Sequence, residues 1–268
     1  LLASKREKEP IFLSAEALLD YGFPKFYVYH LVRVQQFYQE IMHVPLDHFR
    51  FLELNEEEKA FYNRYHFDIE VYLPFHEDWI EVGGVHYRTD HDLKGHERES
   101  GEKMEVVDDD TGDRFIPHVL ELSFGVGRNL QGLLALTYEP QAERGNDVLH
   151  LPQVLTPREV AIFPLVNKNG LPEKATQIYR NLVQGDIATF YDAKGSVGKR
   201  YAREDEVGTR YCVTIDYETL DDPAKEDTVT IRDRETTEQK RIHRDRLITL
   251  IGELKRGERD FSSIENDA

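Results

Sequence analysis

The stretch HVLELSFGVGRNL, residues 118–130, decides how the chain is read. Val119, Leu120 and Leu122 favour a strand, and the two-residue side-chain period puts Glu121 and Ser123 on one side of it. Gly125 and Gly127 permit a tight turn or a close approach of backbone to a ligand. Beyond Arg128, Leu130, Leu133, Leu134 and Leu136 recur at helical spacing. The stretch therefore predicts a strand, a glycine turn and a helix. A carboxylate, a hydroxyl and a guanidinium gather at the junction beside bare backbone, which suits a small zwitterion together with a polyphosphate. Residue types alone also fit a buried strand–helix corner with a solvated arginine. Two fingerprints are excluded. Leu130 stands where a dinucleotide loop needs its third glycine, and the Gly-Lys-Ser/Thr of a Walker loop is absent here and at Gly198-Lys199-Arg200.

The 268 residues predict one large or two ordinary domains. With 40% hydrophobic residues the chain can bury a substantial core, which argues against global disorder. A single cysteine, Cys212, excludes an intramolecular disulfide and a thiolate zinc site within the chain. That suits a reducing, cytoplasmic setting. No apolar run approaches the length of a membrane span, and no secretory leader opens the sequence. Leu1 in place of an initiating Met predicts a piece of something longer. The net charge of -17 gives no support to nonspecific nucleic-acid binding, so a nucleic acid must be met by a local basic surface.

Upstream of the opening stretch, Tyr29, Leu31, Val32, Phe37, Tyr38 and Ile41 predict a mostly buried helix over 26–44, opened by Pro24 and stopped by Pro45. FRFLEL (49–54) reads as a strand, and Asn55 caps a predicted helix over NEEEKAFYNRYH (55–66). Strand-like runs follow at 67–73, 79–88 and 104–107. DDDTGD (108–113) is a hairpin turn rather than a calcium loop, because the EF-hand spacing is missing. An antiparallel sheet with helices packed on it is expected over residues 1–150. From 151 to 268 strands and helices alternate, starting with VAIFPLV (160–166), and predict a small α/β domain.

Three further constellations carry candidate chemistry. His86, His91 and His96 recur every fifth residue, which raises a metal-dependent hydrolase as a reading. His86 lies in a strand, however, and Gly95 is expected to break any helix, so the three read as surface or lightly buried histidines. Glu81 is a carboxylate in an apolar strand, either facing solvent or buried with a partner, and Arg88, Thr89, Asp90 and Asp92 form a charged cluster at that strand's end. GSVGKRYAR (195–203) opens a helix with glycines and cations, suited to phosphate. Arg232, Arg234, Lys240, Arg241 and Arg244 add positive charge, or a salt-bridged surface.

EVGGVHYRTDHDL (81–93), FIPHVLELSFGVGR (115–128), VAIFP (160–164) and GSVGKRYAREDEVG (195–208) together resemble the glycyl-tRNA synthetases, a class II aminoacyl-tRNA synthetase family. The likeness runs from about Phe49 to Leu254. It implies a partial α+β antiparallel class II catalytic sheet followed by an α/β anticodon-binding domain. By this resemblance the opening stretch is motif 3. Arg128 would contact the ATP phosphates, and Gly125, Val126 and Gly127 would line the nucleotide. Glu121 and Ser123 would grip glycine, with Glu121 and Arg128 the catalytic pair. Glu81 and Val82 would lie at the ATP site, Glu81 as a Mg2+ ligand. Lys199, Arg200, Arg203, Arg232 and Arg234 become candidates for tRNA contact.

The sequence departs from the family in one respect. The Arg-x-Glu pair of motif 2 has no counterpart before Glu81, since Arg50-Phe51-Leu52-Glu53 has the wrong spacing, and motif 1 is missing. The resemblance thus implies a C-terminal portion that works with an N-terminal portion on glycine, ATP and tRNA(Gly), in a complete enzyme that is a homodimer. The alternative is a non-catalytic accessory subunit or tRNA-binding module.

Overall fold

The structure is a computed structural model and describes residues 2–3, 11–140, 143–221 and 226–266. The chain forms two compact units, Leu1–Leu136 and Thr137–Ala268. The division falls before residue 150 because the short strands Tyr138–Glu139 and Val148–Leu149 pair with each other inside the second unit.

The first unit is built on a five-stranded sheet. Its strands are β1 (Leu2–Ala3), β2 (Phe49–Glu53), β3 (Tyr65–Leu73), β4 (Asp78–Thr89) and, after the two-residue strands β5 (Val106–Val107) and β6 (Arg114–Phe115), β7 (Val119–Phe124). The order is β1-β2-β3-β4-β7, antiparallel except for β1 with β2. Period-two alternation gives the sheet two unlike faces. Phe51, Ile69, Gly83 and Phe124 stand in register on one face, as do Phe67, Val85 and Leu122. Helix α2 (Lys25–Gln36), preceded by the short α1 (Ala15–Asp20), covers this face. Tyr27 packs on Phe67 at 5.7 Å between ring centroids and donates its hydroxyl to the Val85 carbonyl at 2.8 Å. The opposite face carries His66, Asp68, His86, Glu121 and Ser123 in two adjacent registers.

Several local expectations need correction. The residues of α2 that are buried are Tyr27, Val28, Leu31 and Val34, whereas Tyr29 and Val32 are exposed. The helix then widens into a π turn, Phe37–Ile41, in which Tyr38 is buried while Phe37 and Ile41 remain exposed. NEEEKAFYNRYH is no helix. Asn55 does accept from the amides of Glu57 and Glu58, at 2.9 and 3.1 Å, but the chain must return at once for Leu54 to meet His66 across the β2–β3 pair. Gly95 does not break α3 (His91–Ser100); it faces open space, and the helix ends at Gly101, where φ is 75°. A glycine inside a helix costs only about 1 kcal/mol.

The second unit holds β8 (Tyr138–Glu139), β9 (Val148–Leu149) and a mixed sheet of β10 (Val160–Pro164), β11 (Thr189–Tyr191), β12 (Tyr211–Ile215), β13 (Thr228–Asp233) and β14 (Gln239–His243), in the order β11-β10-β12-β13-β14. Parallel pairing of β10 with β11 and β12 requires crossover helices. These are α5 (Leu171–Gln184) and α6 (Val197–Val207), which follow α4 (Val126–Thr137) of the opening stretch; α7 (Glu218–Asp221) and α8 (Leu247–Lys255) come after. Alternation again divides the core. Val160 and Ile162 pack with Ile178, Leu182, Leu250 and Ile251, while Ala161 and Phe163 pack with Cys212, Val197 and Tyr201.

A buried ion pair ties α6 to β13. Arg232 donates to both oxygens of Asp205, at 2.9 and 3.0 Å, and Asp205 is 1% exposed. Removing one partner strands a buried charge. Asp205→Ala is expected to lower the unfolding free energy by about 3–5 kcal/mol, measured by urea denaturation. A loss below about 1 kcal/mol would show the pair to be dispensable.

Candidate functional site

The junction predicted by the opening stretch is present. Strand β7 ends at Phe124, Gly125 turns, and α4 begins at Val126. The Gly125 amide donates to the Val82 carbonyl at 2.8 Å, and a Cβ there would approach that carbonyl to 3.4 Å. Asn129 fastens the turn from the helix side, donating to the carbonyls of Val82 at 2.8 Å and Gly125 at 3.0 Å. Tyr38 in turn donates to the Asn129 side-chain oxygen at 2.6 Å, which orients its amide. The π turn, which no sequence periodicity announced, serves to deliver Tyr38 to this place.

Glu121 is held from two sides. One carboxylate oxygen accepts from the Ser123 hydroxyl at 2.6 Å, the other from Arg88 at 2.6 Å. These bonds hold its carboxyl below the usual range, the Ser123 hydroxyl contributing most and the Arg88 guanidinium next, against some burial. Arg88 is itself locked. Two of its nitrogens reach both oxygens of Asp92, each at 2.7 Å, and its guanidinium lies 4.4 Å from the Tyr62 ring centre. Arg88 and Tyr62 belong to the site and were not read as site residues from the sequence. The sequence marks Arg88 only as part of a charged cluster, and Tyr62 falls in the helix expected over 55–66, which does not form.

Glu81 and Arg128 face each other from β4 and the first turn of α4. Arg128 donates to the Glu81 backbone carbonyl at 3.0 Å and approaches its carboxylate to 3.4 Å. Both side chains are more than half exposed, so the pair is weak and exchangeable. Val82 is buried beside them, while Gly125, Val126 and Gly127 are open. An exposed guanidinium next to bare backbone at a helix N-terminus can receive phosphate without losing any interior bond.

Histidines 86, 91 and 96 do not converge. His86 is on β4, while His91 and His96 sit on α3. Among the described residues no group of three or more His, Cys, Asp or Glu side chains is arranged to hold a metal ion. Nor is any helix among them long and apolar enough to cross a membrane.

The basic candidates of the second unit separate into two sets. Arg200, Arg232 and Arg234 are buried and committed to internal acceptors, which corrects their expected place on a contact surface. Arg200 donates to the carbonyls of Pro164 and Leu165, at 2.6 and 3.1 Å. Arg234 donates to those of Gly208 and Leu151, at 2.5 and 2.9 Å. Lys199 and Arg203 are left toward solvent, Lys199 exposed and Arg203 paired with Asp192.

Residues 159–254, within the second unit, match the family described as the anticodon binding domain. The chain as a whole is similar to glycine–tRNA ligases. It is 40% identical to that of Clostridium tetani over 210 residues, 77% of the chain and 43% of the relative, and 41% identical to that of Clostridium kluyveri over the same extent. With the Borrelia hermsii glycine–tRNA ligase it shares 39% identity over 221 residues, 81% of the chain and 48% of the relative. These matches are longer than either unit and so include parts of both. The chain is thus similar to part of these ligases. It spans less than half the length of these relatives.

The bonds on Glu121 make a direct expectation. Ser123→Ala and Arg88→Met each raise the Glu121 pKa toward the unperturbed value of about 4.3, Ser123→Ala by the larger amount. The depressed carboxyl contributes stability above that value and loses it as pH falls through the folded-state pKa. Carboxyl-detected NMR titration measures this; an unchanged Glu121 titration in both variants would disprove the bonding scheme.

Proposed function

We propose that the chain is the C-terminal portion of a glycine–tRNA ligase, carrying part of the class II catalytic sheet and the anticodon-binding domain. The observation that carries this reading is a fixed carboxylate, Glu121, on the same strand–helix junction as an exposed guanidinium, Arg128. Glycine has no side chain to recognise, so an enzyme that selects it must hold the ammonium group and leave little space beyond. Glu121, aligned by Ser123 and Arg88, supplies that acceptor.

In this reading ATP lies across Val82 and the 125–127 turn, with Arg128 leaving Glu81 to neutralise phosphate charge. A glycine carboxylate oxygen attacks the α-phosphorus and displaces pyrophosphate; the glycyl group then passes to a terminal ribose hydroxyl of tRNA(Gly), releasing AMP. Fixed charge and positioning supply most of the rate in such chemistry. Mg2+ commonly takes one or two protein carboxylates and completes its shell with phosphate oxygens and water. The single half-exposed Glu81 fits that role, and the ion would offset phosphate charge there.

Groups facing the substrates from an N-terminal portion complete the site, in a cytoplasmic homodimer. Glycine-dependent pyrophosphate exchange is therefore expected to be absent from this chain alone and to appear when a protein carrying motifs 1 and 2 is added. No exchange on addition, with tRNA binding intact, would favour an accessory tRNA-binding module instead.

Of the five cations that are candidates for tRNA contact, Lys199 and Arg203 are the ones not buried. The double variant Lys199→Ala, Arg203→Ala should weaken binding of a tRNA(Gly) transcript and lower the slope of log K against log salt by about 2. Filter binding across a salt series checks this, and an unchanged slope would move the contact surface elsewhere.

A further inference from the structure

The polar face of the first sheet has a hollow at its centre. Two cross-strand rows define it. His66, His86 and Glu121 stand opposite one another on β3, β4 and β7, and the next row is Asp68, Gly84 and Ser123. Gly84 is thus the one position of the six without a side chain. The hollow is not empty, because the His86 imidazole leans back along its own strand and covers it. A Cβ placed on Gly84 would run into the ring, meeting Nε2 first and Cε1 at 2.8 Å.

The ring is held there from behind. His66 lies against it at 4.1 Å between ring centroids, on the side away from Glu121. His66 is fixed by Asp68, whose carboxylate lies 3.0 Å from Nε2, and by Asn63, whose amide lies 3.4 Å from Nδ1. His86 therefore cannot move toward β3 without displacing a bonded neighbour.

We infer that His86 is a specificity-determining residue. Its imidazole, seated over Gly84 between Asp68 and the Glu121–Ser123 pair, fills the volume that a side chain on the bound amino acid would need, and so restricts the site to an amino acid without one. The inference rests on the proposed function, since it assumes that the ammonium group of the substrate meets Glu121. The charge state of the ring is compatible with that neighbour. Burial and the adjacent His66 push the His86 pKa down, Arg88 acts in the same direction, and Glu121 and Asp68 oppose them. A neutral ring next to Glu121 does not repel an ammonium ion and presents a flat wall to its α-carbon.

The wall makes a quantitative demand. One methylene of misfit in a pocket changes selectivity by about 10- to 200-fold. Removing the ring should relax discrimination against alanine, the substrate larger by one methyl group, by a factor of that size.

The test uses the enzyme assembled from this chain and its N-terminal portion, as wild type and as His86→Ala and His86→Asn. Pyrophosphate exchange is driven by glycine and by alanine in parallel, with thermal unfolding recorded for each variant. The expected result is an alanine-to-glycine ratio of kcat/KM at least about tenfold above wild type in His86→Ala, and a smaller rise in His86→Asn, with glycine exchange retained. A ratio within about twofold of wild type in the folded variants overturns the inference. So does loss of glycine exchange in both folded variants, or unfolding of both, which would assign His86 to catalysis or to the fold. Absence of glycine exchange in the wild-type assembly is a different result: it refutes the functional reading, and the inference falls with it.

Discussion

Arg88 is the interaction on which the first unit's site depends. One guanidinium joins three elements: it stands on β4, closes on Asp92 in the first turn of α3, and bonds Glu121 on β7. It uses both carboxylate oxygens of Asp92 and one of Glu121, and the backbone is bent to make the closure. Thr89, the next residue, sits at φ 55°, a left-handed conformation that a β-branched side chain adopts at a cost of about 1–3 kcal/mol. That bend turns β4 directly into α3 and brings Asp92 under Arg88. The paired charges hold Arg88 well toward its protonated form and both carboxyls toward their ionised forms. The strain at Thr89 and the ion pairs therefore belong to one arrangement, whose product is a Glu121 oxygen kept at a defined point.

Around that point the sheet keeps an unusual density of acidic groups out of water. Asp68 and Glu70 are both buried, on the same strand and two residues apart. Burial of carboxylates is costly unless each has a partner. Arg50 bonds Glu70 at 2.6 Å and lies over Trp79 at 4.2 Å, and His66 meets Asp68 at 3.0 Å. These pairings offset the repulsion among the carboxylates of this face. Asp68 and Glu70 are consumed internally, whereas Glu121, on the edge strand β7, is held by a hydroxyl and a guanidinium.

How much of this was legible depended on the range of the interaction. The β7–Gly125–α4 junction was readable because its determinants are contiguous, and the alternation of Val160, Ala161, Ile162 and Phe163 marked a strand buried on both faces. The polar face was also written in the sequence: His66, Asp68 and Glu70 alternate with Phe67, Ile69 and Val71. That period-two signal could have singled out His66 as a neighbour of the site, but it shows nothing of its partner, because the pairing with His86 is set by register between strands. The failures were of two kinds. Asn55 carries a helix-capping signal that tertiary pairing overrode, since β2 and β3 leave no room for a helix between them. Tyr29 and Val32 looked interior by type and lie outside, because the buried stripe of α2 runs through Tyr27, Val28, Leu31 and Val34.

The buried arginines show the same limit with a larger consequence. In a chain of net charge -17 a cluster of arginines invites a reading as a nucleic-acid surface. Arg200, Arg232 and Arg234 instead tie strand ends, helix ends and loop carbonyls together inside the second unit. Arginine suits that task because its planar fork satisfies several acceptors at once and stays charged in the interior. Charge placed there cannot release counterions from a nucleic-acid backbone, which is the source of nonspecific affinity. Lys168, Arg180, Lys194, Lys199, Arg246, Lys255 and Arg256 of this unit remain exposed, but a strongly negative chain surrounds them. An acidic chain that buries three of its arginines gives up that much nonspecific affinity for nucleic acids.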